Sequence, residues 1–290
     1  MAKKQTRRTF LKSLIGGTLA VFGIGAGGYF YAREIEPNLL DVQTHIIAHS
    51  LIPGQFDGTR IVQFSDTHLG FQYPLEQLKR LAQKINSLKP DMIIFSGDLM
   101  DEPNKYDTAH AIVPILKGLH APLGKFSIYG NHDHGGYGTN LYKTIMDESG
   151  FQTLVNENVA LTRNGQSIYL AGIDDAMLGK PDIKASANGI PTGAYKILLS
   201  HAPDLADDAI EHGFHFQLSG HSHGGQIKIP FFGALVKPPF AEKYHEGFYT
   251  IAGEVPLTLY VNRGLGTTRL PFRFMSKPEL TVFTLKIPTE

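Results

Sequence analysis

Four side chains capable of metal binding or proton transfer stand together in the stretch Asn131-His132-Asp133-His134. The stretch follows the apolar run 126–129 and precedes two glycines, a pattern that predicts a strand ending in a loop. Imidazole nitrogens, carboxylates and amide oxygens can each bind a divalent ion, and an imidazole can also transfer a proton. One strand end cannot direct all four groups at one point, so we expect the rest of a site to come from elsewhere in the chain.

Four other apolar runs end in residues of the same types. They are the runs 60–66, 91–96, 196–200 and 214–219, which end at Asp66 and His68, at Asp98, at His201, and at His221 and His223, respectively. Apolar residues at helical spacing separate the first runs, which predicts parallel strand–helix–strand units in a layered α/β fold. Ligand sites in such sheets lie outside the carboxyl ends of the strands, so we expect the five groups to form one site.

The remaining patterns complete one large domain at 33–290. Helices are predicted near 75–88, 105–119, 139–149 and 203–212, and further strands near 153–161, 166–172, 246–252, 257–262 and 280–286. A first strand or two is expected within 33–59. Since no repeat, low-complexity segment or linker interrupts this region, we expect a single domain.

The composition limits the classes of protein and of site. The 290 residues are 42% hydrophobic and carry no net charge, which suits a domain with a sizeable core and gives no reason to expect a nucleic-acid partner. The chain has no cysteine, so disulfides, thiolate nucleophiles and cysteine-based zinc or iron–sulfur sites are excluded. Any bound metal must therefore be held by histidine, aspartate, glutamate or asparagine.

Residues 1–32 have the layout of an export signal. Five lysines and arginines precede the apolar, glycine-rich run 14–32, and the first acid is Glu34. The stretch 6–12 resembles a twin-arginine signal, with Arg7 and Arg8 as the arginine pair. The alternative is a positive-inside anchor whose arginine pair is accidental. The apolar run is long enough to span a bilayer and shows no clear cleavage site, so both removal and retention as an anchor stay open.

The strand ends supply about seven donors, namely three or four imidazoles, two carboxylates and one amide oxygen. One tetrahedral ion needs only about four ligands, whereas seven with a bridging carboxylate fit two ions about 3.5–4 Å apart. Such a pair clamps a phosphoryl group and supplies a hydroxide. Nitrogen and oxygen ligands without sulfur favour manganese, iron or zinc over magnesium alone. We therefore expect two divalent ions, with manganese preferred and iron or zinc as alternatives.

The ordered motifs D-x-H, G-D, G-N-H-D, a lone histidine and G-H-x-H resemble those of the calcineurin-like metallophosphoesterase superfamily. The arginine pair, the run 221–226 and the tail 260–266 resemble exported YkuE-type phosphoesterases, and the resemblance covers essentially the whole chain. It implies a four-layer α/β/β/α sandwich with a dinuclear centre. Asp66, His68 and His223 would hold the first ion, Asp98 would bridge, and Asn131, His201 and His221 would complete the second. His132 would not bind metal but would steady the phosphoryl oxygens and protonate the leaving alkoxide.

Four more polar residues lie near the predicted site in the sequence. Arg263 and His134 are candidates for substrate contact, and Arg269 is another, although a packing or surface role fits each of them as well. The glycines that flank Arg263 slightly favour it over Arg269. Asp133 is expected to fix its loop as a hydrogen-bond acceptor rather than to bind metal.

These patterns predict a metal-dependent hydrolase of phosphodiesters or phosphomonoesters that acts outside the cytoplasmic membrane. Its partners would be the phosphoester substrate, the twin-arginine translocase during export, and the envelope or cell wall. One alternative is cleavage of a lipid-linked pyrophosphate, which predicts an apolar groove beside the ions and membrane retention of the run 14–32. Another is a non-catalytic metal- or wall-binding module, which the presence of His132 disfavours. Phe231, Phe232 and the stretch 238–240 could form an apolar wall near the mouth, although ordinary packing is the default.

Overall fold

The computed structural model describes Arg7 and the ranges 25–134 and 139–288. The predicted twin-arginine motif, apart from Arg7, and the first part of the apolar run 14–32 lie outside these residues. Within the described ranges, no helix has both the length and the hydropathy that crossing a bilayer requires. Residues 25–30 are helical and continue into short turns that end at Asn38.

The first sheet contains three of the strands that lead to the predicted site. Its six strands are β1 (Asp41–Ala48), β2 (Arg60–Phe64), β3 (Met92–Phe95), β4 (Lys125–Ser127), β5 (Phe151–Thr153) and β14 (Glu279–Lys286). They lie in the order β1-β14-β2-β3-β4-β5, with β2 to β5 parallel and β14 antiparallel to β2. The carboxyl ends of β2, β3 and β4 therefore reach the same edge of the sheet, as the strand–helix pattern predicted.

The second sheet contains the other two site strands. Its six strands are β6 (Glu157–Arg163), β7 (Gln166–Gly172), β8 (Lys196–Leu199), β9 (Phe216–Ser219), β12 (Gly247–Ile251) and β13 (Leu257–Val261). The order is β12-β13-β9-β8-β7-β6, and the four inner strands are parallel. A short hairpin, β10 (Lys228–Ile229) and β11 (Gly233–Ala234), lies apart from both sheets.

Helices cover the outer faces of the two sheets. Helices α1 (Leu75–Ser87), α2 (Ile112–Lys117) and α4 (Thr139–Glu148) pack on the first sheet, α5 (Ile183–Ala187) and α6 (Ala206–Ala209) pack on the second, and α3 (Asn131–His134) follows β4. Strand β3 shows why both faces must be covered, since Met92 and Ile94 face the second sheet while Ile93 and Phe95 face the helices. All four are fully buried, as in parallel strands covered on both faces. The α/β/β/α sandwich confirms the predicted fold.

Three predicted elements differ from the structure. The helix predicted at 105–119 is reduced to short turns and α2, because Pro114 lacks an amide hydrogen and would interrupt a helix that began at 105. The strand predicted at 153–161 is two strands in different sheets, and the chain passes between them at Asn156, whose φ is 56°. Finally, the loop predicted at Asn131 is the helical turn α3.

Candidate metal centre

The five predicted strand ends meet at one edge of the sandwich. Their side chains form three groups in which the candidate ligand atoms lie within 4.8 Å of one another. The groups are Asp66, His68 and His223; Asp98, His201 and His221; and His68, Asp98 and His132. The first two groups contain the histidine and aspartate ligands predicted for the two ions, and the third places His132 beside them.

Asp98 lies between the first two groups. Its Oδ2 atom is 3.5 Å from Nε2 of His68 and 3.3 Å from Nε2 of His201. Its Oδ1 atom accepts the backbone N–H of His132 at 2.9 Å. Burial alone would raise the pKa of Asp98, but the neighbouring His201, His132 and His68 hold that pKa well below its usual range. An ionised oxygen that faces ligands of both groups fits the bridging position predicted for Asp98.

Asp66 completes the first group and ties the two sheets together. Its Oδ1 atom is 3.5 Å from Nε2 of His223 and 4.0 Å from Nε2 of His68, and those two nitrogens are 3.0 Å apart. Both oxygens of Asp66 also accept the backbone N–H of His221 at 3.1 Å. Two imidazole nitrogens and a carboxylate that lie at these distances form a donor set suited to a cation.

Backbone carbonyls set the tautomers of the two histidines in the second group. Nδ1 of His201 donates to the carbonyl of Ser96 at 2.6 Å, and Nε2 of His221 donates to the carbonyl of Pro239 at 2.9 Å. A carbonyl oxygen can only accept, so each of these nitrogens carries the hydrogen. The lone pair for metal binding is therefore on Nε2 of His201 and on Nδ1 of His221, the pattern by which outer hydrogen bonds orient metal-binding imidazoles.

Asn131 and His201 supply a direct test of whether the site fits a metal. Oδ1 of Asn131 and Nε2 of His201 are both buried, and neither makes a hydrogen bond with the described residues, although Nε2 of His201 lies 3.3 Å from Asp98. Buried polar atoms nearly always have a partner. Both atoms belong to the predicted second ion site, where each can offer a lone pair, so a cation bound there would satisfy them. The residues present therefore fit the two ions that the motif series implies.

The backbone is strained at most of the predicted ligands. Five of the seven have φ in the left-handed region, with values from 44° to 69°. They are Asp66, His68, Asp98, His221 and His223. Residues with a side chain rarely adopt such angles, and clusters of them mark functional sites. Gly97 allows the close packing here, since a Cβ at this position would lie 2.7 Å from both the backbone nitrogen of Gly130 and Nδ1 of His201.

Asp101 links a predicted ligand to the predicted acid, and the sequence reasoning missed it. Its Oδ1 atom accepts Nδ1–H of His68 at 3.0 Å and the hydroxyl of Thr268 at 2.8 Å. Its backbone carbonyl accepts Nδ1–H of His132 at 2.6 Å. Burial opposes the charge on Asp101, but the hydrogen bond and charge of His68 outweigh burial and lower the pKa. The available signal was its position three residues after Asp98.

His132 is the histidine of this group that solvent reaches. Its side chain is 23% exposed, whereas that of His68, whose ring lies 4.6 Å away, is fully buried. Burial lowers the pKa of His132, but the charge of Asp98 and the contacts with Asp101 outweigh burial and raise it. Because Nδ1 is bound to the Asp101 carbonyl, Nε2 is left to exchange a proton with a substrate.

Asp133 holds the loops of β3 and β4 together. Its carboxylate accepts the backbone N–H groups of Asp98 at 2.7 Å, Leu99 at 2.9 Å and Gly130 at 3.0 Å. Burial and the charge of Asp98 raise its pKa to about 7, although the three amide donors act in the opposite direction. These bonds match the loop-fixing role expected for Asp133, and they explain why residues 131–134 form a turn of helix.

Arg263 lies away from the cavity in the described structure. Its Nε atom is 2.6 Å from Glu279, and its Nη2 atom is 2.8 Å from Asp41. The flanking glycines serve a different purpose, because a Cβ on Gly264 would lie 2.6 Å from the Cβ of Asp66. The substrate contact predicted for Arg263 therefore has no support from its position.

The structure places Arg269, and not His134, at the cavity beside the candidate ligands. His134 lies 3.1 Å from Asp174, and it is not among the described residues that line the cavity at the centre. Arg269 is exposed and lines the mouth of that cavity. Of the cationic side chains considered for substrate contact, Arg269 is the one in position.

A cavity of about 270 Å³ opens beside the candidate ligands. Its polar lining includes Asp98, Asn131, His132, His221 and His223. Its apolar lining is Met177, Ile227, Leu235, Val236, Pro238, Pro239 and Leu270. The apolar wall considered at 238–240 is thus present in its two prolines, whereas Phe231 and Phe232 do not line the cavity.

The family model and one relative at 47% identity show the family of this chain. Residues 59–225 match the model of the family described as calcineurin-like phosphoesterase. The chain is 47% identical over 285 residues to an uncharacterized metallophosphoesterase, YkuE of Bacillus subtilis, covering 98% of this chain and 99% of that protein. It is 30% identical to the UDP-2,3-diacylglucosamine pyrophosphatase LpxG of Chlamydia trachomatis, covering 87% of this chain and 91% of that protein. The NAD nucleotidase structure of Haemophilus influenzae superposes with a TM-score of 0.49 at 15% identity, covering 71% of this chain and 50% of that one. The chain belongs to the calcineurin-like phosphoesterase family and is a metallophosphoesterase, a hydrolase of phosphoester bonds.

Proposed function

We propose that the protein hydrolyses a phosphoester or pyrophosphate bond in a lipid-linked substrate outside the cytoplasmic membrane. The observation that carries this proposal is the cavity, in which His132 and the candidate ligands adjoin seven apolar residues. A lipid-linked substrate has an apolar part to place against that lining, and a small soluble phosphoester does not. The likeness to a protein named as a UDP-2,3-diacylglucosamine pyrophosphatase supports the same class of substrate. Export through the twin-arginine translocase to the envelope or cell wall is proposed from the arginine pair at 7 and 8.

When bound, two divalent ions supply Lewis-acid polarisation of the phosphoryl oxygens and an activated water. The seven candidate ligands would hold them, with Asp98 between the two groups. Nitrogen and oxygen donors suit manganese, iron or zinc, and manganese is the metal we propose. His132 acts as general acid from the lining of the cavity, with its ring held by the Asp101 carbonyl. The proton passes from Nε2 of His132 to the oxygen of the departing group, while Nδ1–H of His132 stays hydrogen-bonded to the Asp101 carbonyl. Arg269 at the mouth binds a second phosphate through its planar guanidinium.

The substrate class is tested with manganese-loaded protein and two pyrophosphates that differ only in acyl chain length. Each buried methylene is worth about 0.8 kcal/mol, or roughly fourfold, so four extra buried methylenes raise kcat/KM by about a hundredfold or more. A soluble chromogenic phosphodiester and a phosphomonoester complete the panel. Equal kcat/KM for the long and short chains would refute the lipid-linked substrate, and turnover of monoesters alone would refute the pyrophosphate assignment.

His132→Ala separates an enzyme from a metal-binding module. Removal of a general acid costs about 10²- to 10⁴-fold in kcat, and the metal content is expected to stay unchanged because the seven ligands are intact. The measurement is turnover with and without manganese, together with metal analysis of the purified variant. Equal turnover in the variant and the wild type would contradict the role of His132, and no metal-dependent turnover in either would favour the binding module.

A further inference from the structure

The hairpin β10–β11 ends in two aromatic side chains that are fully open to solvent. Phe231 and Phe232 are 105% and 87% exposed, although each is among the most hydrophobic of side chains. Phe231 also has a φ of 70°, a conformation that is costly for a bulky residue. Two adjacent phenylalanines held outward in this way mark an interaction surface.

Exposed apolar surface continues from this tip to the mouth of the cavity. Further exposed apolar residues lie on the hairpin, on the segment 235–240 that follows it, and on the neighbouring loop 268–275. They are Ile229, Leu235, Val236, Phe240, Leu270 and Met275. Of these, Leu235, Val236 and Leu270 also line the cavity. The hairpin is fixed to the loop 268–275, since Lys228 N–H donates to the Phe274 carbonyl at 2.9 Å. The tip, the loop and the cavity mouth therefore form one continuous surface.

The hairpin and the loop carry basic side chains and no acid of their own, and Lys228 is paired with Glu246 outside them. The segment 226–241 contains two lysines and no acid, and the segment 261–278 contains three arginines, one lysine and no acid. Lys237, Arg269 and Lys277 of these segments are exposed. Exposed aromatic and aliphatic side chains rimmed by cations are the combination that binds anionic lipid headgroups and the upper acyl region.

The N-terminal segment reaches the domain at the same surface. The ring of Tyr29 lies 5.2 Å from that of Phe272, and the N–H of Arg273 donates to the Ala32 carbonyl at 2.9 Å. These contacts join the helical residues 25–30 to the loop 268–275 that borders the cavity mouth. The same helical residues belong to the apolar run 14–32, which is long enough to span a bilayer. A bilayer is the occupant that fits both the run and the exposed phenylalanines.

We propose that the hairpin β10–β11 and the loop 268–275 dock on the surface of an anionic lipid bilayer, with Phe231 and Phe232 inserted among the lipids. Docking of this kind holds the cavity mouth at the lipid headgroups. The inference rests on the proposed function, because a lipid-linked substrate would then enter the cavity directly from the bilayer. The test of docking measures insertion of a side chain into lipid rather than turnover, so the docking proposal and the proposed function can fail separately.

The chain has no tryptophan, so a single introduced tryptophan reports its own surroundings. Full-chain Phe232→Trp is compared with full-chain Ile287→Trp, a control residue that is 41% exposed. Ile287 follows β14, which runs antiparallel to β2, and so lies at the edge of the sheet opposite the site. Both variants are bound to vesicles of phosphatidylglycerol and phosphatidylcholine, with binding verified by flotation because the apolar run 14–32 can attach either variant.

On vesicles, the emission of Phe232→Trp is expected to shift to shorter wavelength and to be quenched by lipids brominated in the upper acyl chain. The emission of Ile287→Trp is expected to show neither change. An unshifted, unquenched emission from vesicle-bound Phe232→Trp would overturn the proposal. A blue shift that appears without vesicles and grows with protein concentration would also overturn it, in favour of a second copy of the chain on this surface.

A double variant, Phe231→Ser with Phe232→Ser, gives an independent measurement. Both side chains are exposed and lie outside the cavity, so turnover of a soluble chromogenic substrate is expected to match the wild type. Turnover of a long-chain substrate in vesicles is expected to fall by about tenfold or more, because two buried phenyl groups are lost. Equal turnover by the double variant and the wild type on vesicles would count against docking. If the wild type turned over no lipid substrate at all, the proposed function would be rejected, and the fluorescence result would decide whether the surface docks.

Discussion

Asp101→Asn tests how much the metal centre depends on a residue that binds no metal. The carboxylate of Asp101 accepts Nδ1–H of His68 at 3.0 Å, and its side chain is only 16% exposed. The substitution removes the charge but keeps the backbone carbonyl that holds His132. We therefore expect His68 to become a weaker and less firmly oriented ligand, while the position of His132, the proposed general acid, is retained.

The magnitude follows from that one hydrogen bond. A hydrogen bond to a charged group contributes about 1.5–3 kcal/mol and one to the neutral amide oxygen of Asn about 0.5–1.5 kcal/mol, so the loss is about 1–1.5 kcal/mol. About 1.4 kcal/mol corresponds to a tenfold change in a binding constant. The low exposure of Asp101 means that solvent screens the interaction little. We therefore expect manganese to bind about tenfold more weakly at the first ion site, the lower end of the range typical for residues that orient metal ligands.

The assay is calorimetric titration of manganese into metal-free protein, followed by kcat at saturating manganese. Asp91→Asn is the matched control, because Asp91 is also a partly buried acid in an ion pair, 2.6 Å from Arg163 at the start of β3. It is expected to lose some stability and keep the wild-type metal affinity. If Asp101→Asn binds both ions as tightly as the wild type, the carboxylate does not support His68 and the reasoning is wrong.

Three further predictions follow from single positions. Gly97→Ala is expected to lower the free energy of unfolding by about 2–5 kcal/mol and to weaken metal binding, because its Cβ would meet Gly130 and His201 at 2.7 Å. The control Gly193→Ala, with a φ of 82° and nothing within 4 Å of the added Cβ, should show the smaller cost of the backbone angle alone. Equal losses of unfolding free energy for the two variants in urea would refute the steric argument. Asn131→Ala is expected to reduce the manganese stoichiometry from two towards one at limiting metal, since its buried Oδ1 is a predicted ligand of the second ion; unchanged stoichiometry would remove Asn131 from the ligand set. Burial and the charges of His49 and Lys196 lower the pKa of His215 to about 4, below the unfolded value of about 6.5. His215 therefore stabilises the fold above about pH 6.5, and up to about 3 kcal/mol is lost as pH falls from there to about 4; His215→Asn should flatten this part of the curve of unfolding free energy against pH, and an unchanged slope would contradict the assignment.

The strand ends show what could be predicted before any coordinates were known. Asp66, Asp98 and His201 each follow a short apolar run, and such runs are local features that end where glycine or polar residues begin. Because parallel strands present their carboxyl ends at one edge, the meeting of these residues followed from the topology alone. The same local reasoning failed at 153–161, where the chain changes sheets at Asn156, because periodicity does not record which sheet a strand joins.

Arg263 and Asp101 show what lay beyond the sequence. The flanking glycines favoured Arg263 as a substrate contact, yet it is held by Glu279 and by Asp41, which lies 222 residues away in the chain. Asp101 belongs to none of the sequence motifs, yet it contacts His68, His132 and Thr268. Such contacts depend on packing between elements of the fold that are separate in the sequence. Local sequence patterns hold no information about that packing.

The sequence by itself determined the layered α/β class, the order of the candidate ligands and the chemistry of their donors, since each depends on residue type and short-range spacing. Only the tertiary structure decided which nitrogen of His201 and His221 is free, because the carbonyls of Ser96 and Pro239 settle it. It also decided that an apolar cavity and the exposed Phe231 lie on the same side as the centre. The physical reason is that tautomers, cavities and exposed surfaces arise from contacts between segments that fold together, not from any segment alone.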